Sequence, residues 1–119
     1  LMLAMQALVN PGDEVVVVTP VWPNLTAQPL ILGAQLRTVA LAPHGGRWTL
    51  PLDKLLAAIT SQTRLLVLNS PNNPTGWTLS RAEQQALLAR LLKSLWIWLI
   101  VRLPCCWRAA RIFLAFGSN

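Results

Sequence analysis

A chain of 119 residues that is 54% hydrophobic and only 12% charged carries too much apolar side chain to be disordered and has room for one domain at most. Its formal charge of +6 is lopsided, because residues 1–83 hold five basic and four acidic side chains while 84–119 hold five basic ones and no acid. Adjacent Cys105 and Cys106 suit neither a disulfide framework nor a metal site, Leu1–Leu8 lacks a basic leader, and the apolar run Leu95–Val101 is far shorter than the roughly 20 residues of a spanning helix, so neither a secretory signal, a metal centre nor a transmembrane segment is expected, and a cytoplasmic chain is.

In chain order, Leu1 to Val9 reads as the end of an apolar helix stopped by Asn10-Pro11-Gly12. Glu14 to Thr19, with four consecutive valines, reads as a strand buried on both faces. Pro23 to Leu32 is a helix that tolerates Pro29 and closes at Gly33, and Gln35 to Ala40 is a second strand, expected to be covered on both faces like the first. A loop, Pro43-His44-Gly45-Gly46-Arg47, precedes a helix opened by Pro51, in which Leu52, Leu55, Leu56 and Ile59 share one face. Thr63 to Asn69 is the third strand. The helix over 81–93 is announced by a capping box, Ser80 with Glu83 three positions on, and Leu95 to Val101 is a fourth strand. Helices alternating with apolar strands imply an α/β fold on a mostly parallel sheet.

Ligands of such sheets sit beyond the carboxyl ends of the strands, and two loops lie there: Thr19 to Asn24 and Ser70 to Gly76. In the second, Ser70-Pro71-Asn72-Asn73-Pro74-Thr75-Gly76, two prolines restrict the backbone and two asparagines offer amides to a ligand. A flat aromatic such as Trp22 can stack on a planar ring, and an amide such as Asn73 can hydrogen-bond a phenolic oxygen on that ring's edge.

The run Asn69-Ser70-Pro71-Asn72-Asn73-Pro74-Thr75-Gly76, taken with Pro11-Gly12-Asp13-Glu14-Val15 and Thr19-Pro20-Val21-Trp22-Pro23-Asn24 upstream, resembles the large domain of class I/II aminotransferases of the aspartate aminotransferase-like, fold type I group, which use pyridoxal 5'-phosphate (PLP). The resemblance implies a partial three-layer α/β sandwich, PLP as cofactor, an amino acid and a 2-oxo acid as substrates, and a homodimer. It places Trp22 against the pyridine face and Asn73 on the 3-oxygen, leaves Asn72 without a role, and implies cis peptide bonds at Thr19-Pro20 and Asn73-Pro74. It also implies parts that these residues do not supply. The cofactor-holding lysine of the family lies beyond Asn119 and its glycine-rich phosphate loop before Leu1, while Val101-Arg102-Leu103-Pro104-Cys105 stands where an Asp-Glu-Val-Tyr-like motif is expected. Lys54 and Lys93 lack the family's lysine setting and read as solvated surface charges. No residue is therefore assigned as catalytic or as a metal ligand.

The resemblance covers about residues 1–92, so the chain divides into a partial large domain, 1–93, and a basic, apolar tail, 94–119, of the kind that a shifted reading frame would produce. The expected function is that of a truncated aminotransferase, inactive alone. The alternative is a non-catalytic basic module whose residues 91–111 contact a membrane surface or a polyanion through Arg102, Arg108 and Arg111 with Trp98 and Trp107. No nucleic-acid recognition fold is present to support a nucleic-acid partner. His44, beside two glycines and with no partner in view, reads as a solvated turn residue.

Overall fold

The computed structural model describes residues 1–91, 97–102 and 111–113. Helices α1 (Met2–Leu8), α2 (Asn24–Ile31), α3 (Leu52–Ala58) and α4 (Arg81–Leu91) alternate with strands β1 (Glu14–Thr19), β2 (Gln35–Ala40), β5 (Thr63–Asn69) and β6 (Ile97–Arg102). A small hairpin, β3 (Ala42–His44) and β4 (Arg47–Thr49), interrupts the alternation, and β7 (Arg111–Phe113) follows. The main sheet runs β2-β1-β5-β6-β7, parallel except for the last pair.

The four valines of β1 explain the layering. Successive side chains point to opposite faces of a strand, so Val16 and Val18 join one core and Val15 and Val17 the other. The first core takes Leu66 and Leu68 of β5 and is closed by Leu55 and Ile59 around α3 and by Leu87 of α4. The second takes Leu65 and Val67 and is closed by Met5 and Leu8 of α1 and by Leu25 of α2. The result is the helix–sheet–helix sandwich expected from the alternating pattern.

Two expectations need correction. Strand β2 is not covered on both faces: Gln35, Arg37, Thr38 and Ala40 are exposed, and only Val39 is fully buried. It lies at the edge of the sheet, where polar side chains on an open rim are the ordinary solution. The segment read as a loop around His44 is instead the β3–β4 hairpin, with His44 paired to Arg47 across Gly45-Gly46. Both glycines have positive φ, the backbone that a two-residue hairpin connection demands. Of the tail beginning at residue 94, only 97–102 and 111–113 fall within the described residues. There β6 pairs in parallel with β5, Leu65 opposite Ile97 and Asn69 opposite Val101, where a fourth strand was expected.

Candidate functional site

The order of the strands positions the site. From β1 the chain moves outward to β2, then returns to place β5 on the other side of β1. At such a switch point the connections leave the adjacent carboxyl ends in opposite directions, which opens a crevice between them. The two loops singled out from sequence leave those two strand ends. Parallel neighbours lie about 4.8 Å apart, so residues 20–24 and 70–76 flank one crevice.

The first loop turns directly into α2, whose opening turn is held by the Leu25 N–H donating to the Trp22 carbonyl at 2.9 Å. The Trp22 ring is 44% exposed, although its neighbours Val21 and Leu25 are packed into the second core. A large aromatic left open at a strand end is available for stacking.

The second loop is built by its own polar groups. The buried Ser70 hydroxyl accepts the Leu79 N–H at 2.9 Å. The Asn72 N–H donates to the Trp77 carbonyl and the Gly76 N–H to the Asn72 carbonyl, each at 2.7 Å, while Thr75 Oγ1 accepts the Trp77 N–H at 3.2 Å. The Asn69 side chain, turned with its oxygen toward the loop, accepts the Asn73 N–H at 3.0 Å and donates to the Pro71 carbonyl at 3.3 Å. That orientation gives up a 3.4 Å approach of the amide nitrogen to Asn72 Oδ1, the weaker alternative.

The two loop asparagines therefore part company. Asn72 is 5% exposed, and its amide nitrogen donates to the Pro20 carbonyl at 2.8 Å and to Thr75 Oγ1 at 2.7 Å. Its amide hydrogens are not free to meet a ligand, contrary to the reading that both asparagines offer their amides. Asn73 is exposed, and its side chain has no hydrogen-bond partner among the described residues. The peptide bonds Thr19-Pro20 and Asn73-Pro74 are cis, as the resemblance implies, and so is Ser70-Pro71.

No described charge enters this crevice through a hydrogen bond or ion pair: Lys54 is exposed on α3, and His44 is exposed on β3. A cleft of about 480 Å³ opens elsewhere, between the hairpin and the start of α4, lined by Arg47, Trp48, Thr75, Trp77, Ser80 and Glu83. It includes neither Trp22 nor Asn73. Of the two loops that flank the switch point, the first carries the half-exposed Trp22 and the second carries Asn73, whose amide has no hydrogen-bond partner among the described residues.

The sandwich and its switch-point crevice define an α/β protein of the class that binds a ligand between two strand ends. A family model described as aminotransferase class I and II matches residues 1–101, and the chain belongs to that family. An aspartate aminotransferase of Rhizobium meliloti is 42% identical over 98 residues, covering 82% of this chain and 24% of that protein. The structure of N-succinyldiaminopimelate aminotransferase from Mycobacterium tuberculosis superposes with a TM-score of 0.78 at 34% identity, over 83% of this chain and 26% of that one. Cystalysin from Treponema denticola, whose crystal structure contains PLP, shares the fold with a TM-score of 0.77 at 22% identity, over 88% of this chain and 28% of that one. The chain spans about a quarter of the length of the relatives it matches.

Among the described residues no helix is long and apolar enough to cross a membrane. The basic-module alternative gains no support, since the match to aminotransferases extends through residue 101 and most of 91–111 lies outside the described residues.

Proposed function

We propose that this chain forms the ring-binding face of a PLP-dependent aminotransferase large domain, the protein as a whole moving an amino group between an amino acid and a 2-oxo acid. What supports this reading is that the two loops flanking one switch-point crevice carry a half-exposed indole, Trp22, and an amide without a partner among the described residues, Asn73. The donor set fits a flat, oxygen-bearing heteroaromatic ring. Trp22 stacks on its face, and the Asn73 amide donates to the oxygen at its edge, which fixes the ring's rotation in its own plane. PLP, when bound, supplies the electron sink for chemistry at the amino-acid carbon. The residues present hold and orient the ring, but the described residues bring no lysine to the crevice and the sequence has no acid after Glu83 to face a ring nitrogen, so the 119 residues alone are expected to give no transaminase turnover. A division into a large-domain part, 1–93, and an aberrant basic, apolar tail, 94–119, belongs to the same proposal, although the family match runs on through residue 101.

The test uses the chain labelled with ¹⁵N at its six tryptophan indoles and titrated with pyridoxine 5'-phosphate, whose alcohol cannot condense with Lys54 or Lys93. The Trp22 resonance, identified by its loss in Trp22→Phe, should shift saturably. Asn73→Ala should weaken binding about fivefold to tenfold, the loss of one hydrogen bond of roughly 1 kcal/mol. A titration that moves Trp48 or Trp77 and leaves Trp22 still, or an Asn73→Ala protein that binds as the parent does, would overturn the assignment.

A further inference from the structure

We propose that Asn72 is the positioning residue of the ring cradle, a buried clamp that sets the spacing between Trp22 and Asn73. The inference rests, for its functional meaning, on the ring-binding role of those two residues. The clamp itself rests on geometry alone. The bond from Asn72 Nδ2 to the Pro20 carbonyl, at 2.8 Å, joins residues 52 positions apart in the chain. One end of it lies two residues before the stacking tryptophan, and the other adjoins the ring-oxygen donor. Among the described residues the Pro20 carbonyl has no other donor.

The direction of the amide is determined by chemistry, because Pro20 offers only an acceptor and so must face nitrogen. The second amide hydrogen goes to Thr75 Oγ1 at 2.7 Å, and the backbone N–H and C=O of Asn72 are both engaged inside its own loop, at 2.7 Å each. Asn72 is thus held rigidly by the second loop and reaches across to the first. With both amide hydrogens committed and 5% exposure, Asn72 has no donor to offer the ligand. It can hold two ligand contacts at a fixed separation, and small displacements of such contacts are costly to the chemistry they serve.

Three measurements test this. In the unsubstituted chain, the Asn72 side-chain amide hydrogens should exchange with solvent at least tenfold more slowly than those of Asn73, since the first are buried and bonded and the second exposed. Equal exchange would overturn the clamp without any variant having to fold. Next, Asn72→Asp, which keeps the shape but turns an oxygen toward the Pro20 carbonyl, should speed exchange of the Leu25 amide, bonded to the Trp22 carbonyl, about tenfold. Thr75→Val, which removes a partner of Asn72 within its own loop only, should leave Leu25 unchanged. Equal effects of the two would mean that Asn72 merely stabilises its own loop.

Finally, Asn72→Asp should bind pyridoxine 5'-phosphate about tenfold more weakly than the parent while the Trp77 indole resonance stays in place. Binding at parental strength, with Leu25 exchange unchanged, would sink the proposal. A clamp confirmed by exchange, in a parent whose Trp22 ignores the ligand, would overturn the ring-binding reading and leave the clamp standing.

Discussion

Glu14 ties three strands together at the amino-terminal edge of the sheet, and its removal tests which of its contacts carries the stability. Its Oε1 accepts the Thr63 hydroxyl at 2.6 Å and approaches that of Thr60 at 3.5 Å; its Oε2 accepts the Arg37 guanidinium at 2.6 Å. The two short bonds look alike but differ in environment. Thr63 is 2% exposed and uses its oxygen lone pair for the Thr60 N–H at 3.0 Å, whereas the Arg37 side chain is 46% exposed. A buried hydroxyl bonded to a carboxylate contributes roughly 1.5–3 kcal/mol, and a solvent-screened pair on an edge strand about 0–1 kcal/mol.

Glu14→Ala should therefore cost about 2–4 kcal/mol and Thr63→Val about 2 kcal/mol, a large part of the roughly 5–15 kcal/mol available to a domain. Arg37→Ala should cost under about 1 kcal/mol. Urea unfolding of the three variants, with the Glu14→Ala/Thr63→Val double mutant to extract the coupling, decides the matter. If Arg37→Ala is as damaging as Glu14→Ala, or the coupling between Glu14 and Thr63 is negligible, the argument from burial is wrong. Because this edge is opposite the crevice, the folded fraction of each variant should bind pyridoxine 5'-phosphate as the parent does.

Gly33→Ala should cost roughly 2–3 kcal/mol against about 1 kcal/mol for Gly12→Ala: both have positive φ, but a Cβ at Gly33 would stand 3.2 Å from Pro11 Cβ and one at Gly12 would meet open space. Ser80→Ala should loosen the first turn of α4 by about 1 kcal/mol, seen as faster amide exchange at Glu83, whose N–H now donates to the Ser80 hydroxyl at 3.2 Å while its carboxylate accepts the Ser80 N–H at 2.7 Å. Gln28→Met should raise the urea midpoint, by about 1 kcal/mol in stability, because Gln28 Oε1 is buried without a donor among the described residues; a lowered midpoint would mean that the oxygen has a partner in solution.

The strands were legible where a strong signal was local. Four valines between a Pro-Gly turn and a proline fix β1 on both faces, and β5 is apolar over four consecutive residues, Leu65 to Leu68. The Ser80/Glu83 pair announces α4 for the same reason, since all of its chemistry lies within one turn. What escaped was short or non-local. The hairpin strands have three residues each, too few for a period of two to show, and only Gly45-Gly46 marked the turn. The exposure of β2 follows from its edge position, which depends on where the later strand β5 inserts; Gln35, Arg37 and Thr38 carried the hint.

The same distinction separates the three asparagines of Asn69-Ser70-Pro71-Asn72-Asn73. Their side chains are chemically identical, so the motif alone cannot say which of them meets a ligand. Burial assigns the roles. Asn69, at the end of β5, is sealed in the sheet and can only hold its own loop, through the Asn73 N–H. Asn72 is buried one turn later and finds its acceptor on the loop after β1, a partner that exists only because β5 inserts beside β1. Asn73 is left with an open amide because the other two have taken the internal partners. Which of the three amides stays open to the ring proposed above emerges only once its neighbours' partners are accounted for, and that accounting requires the strand order. Were β5 not inserted beside β1, the loop sequence would be unchanged but Asn72 would lose the Pro20 carbonyl, the bond that ties the two loops together.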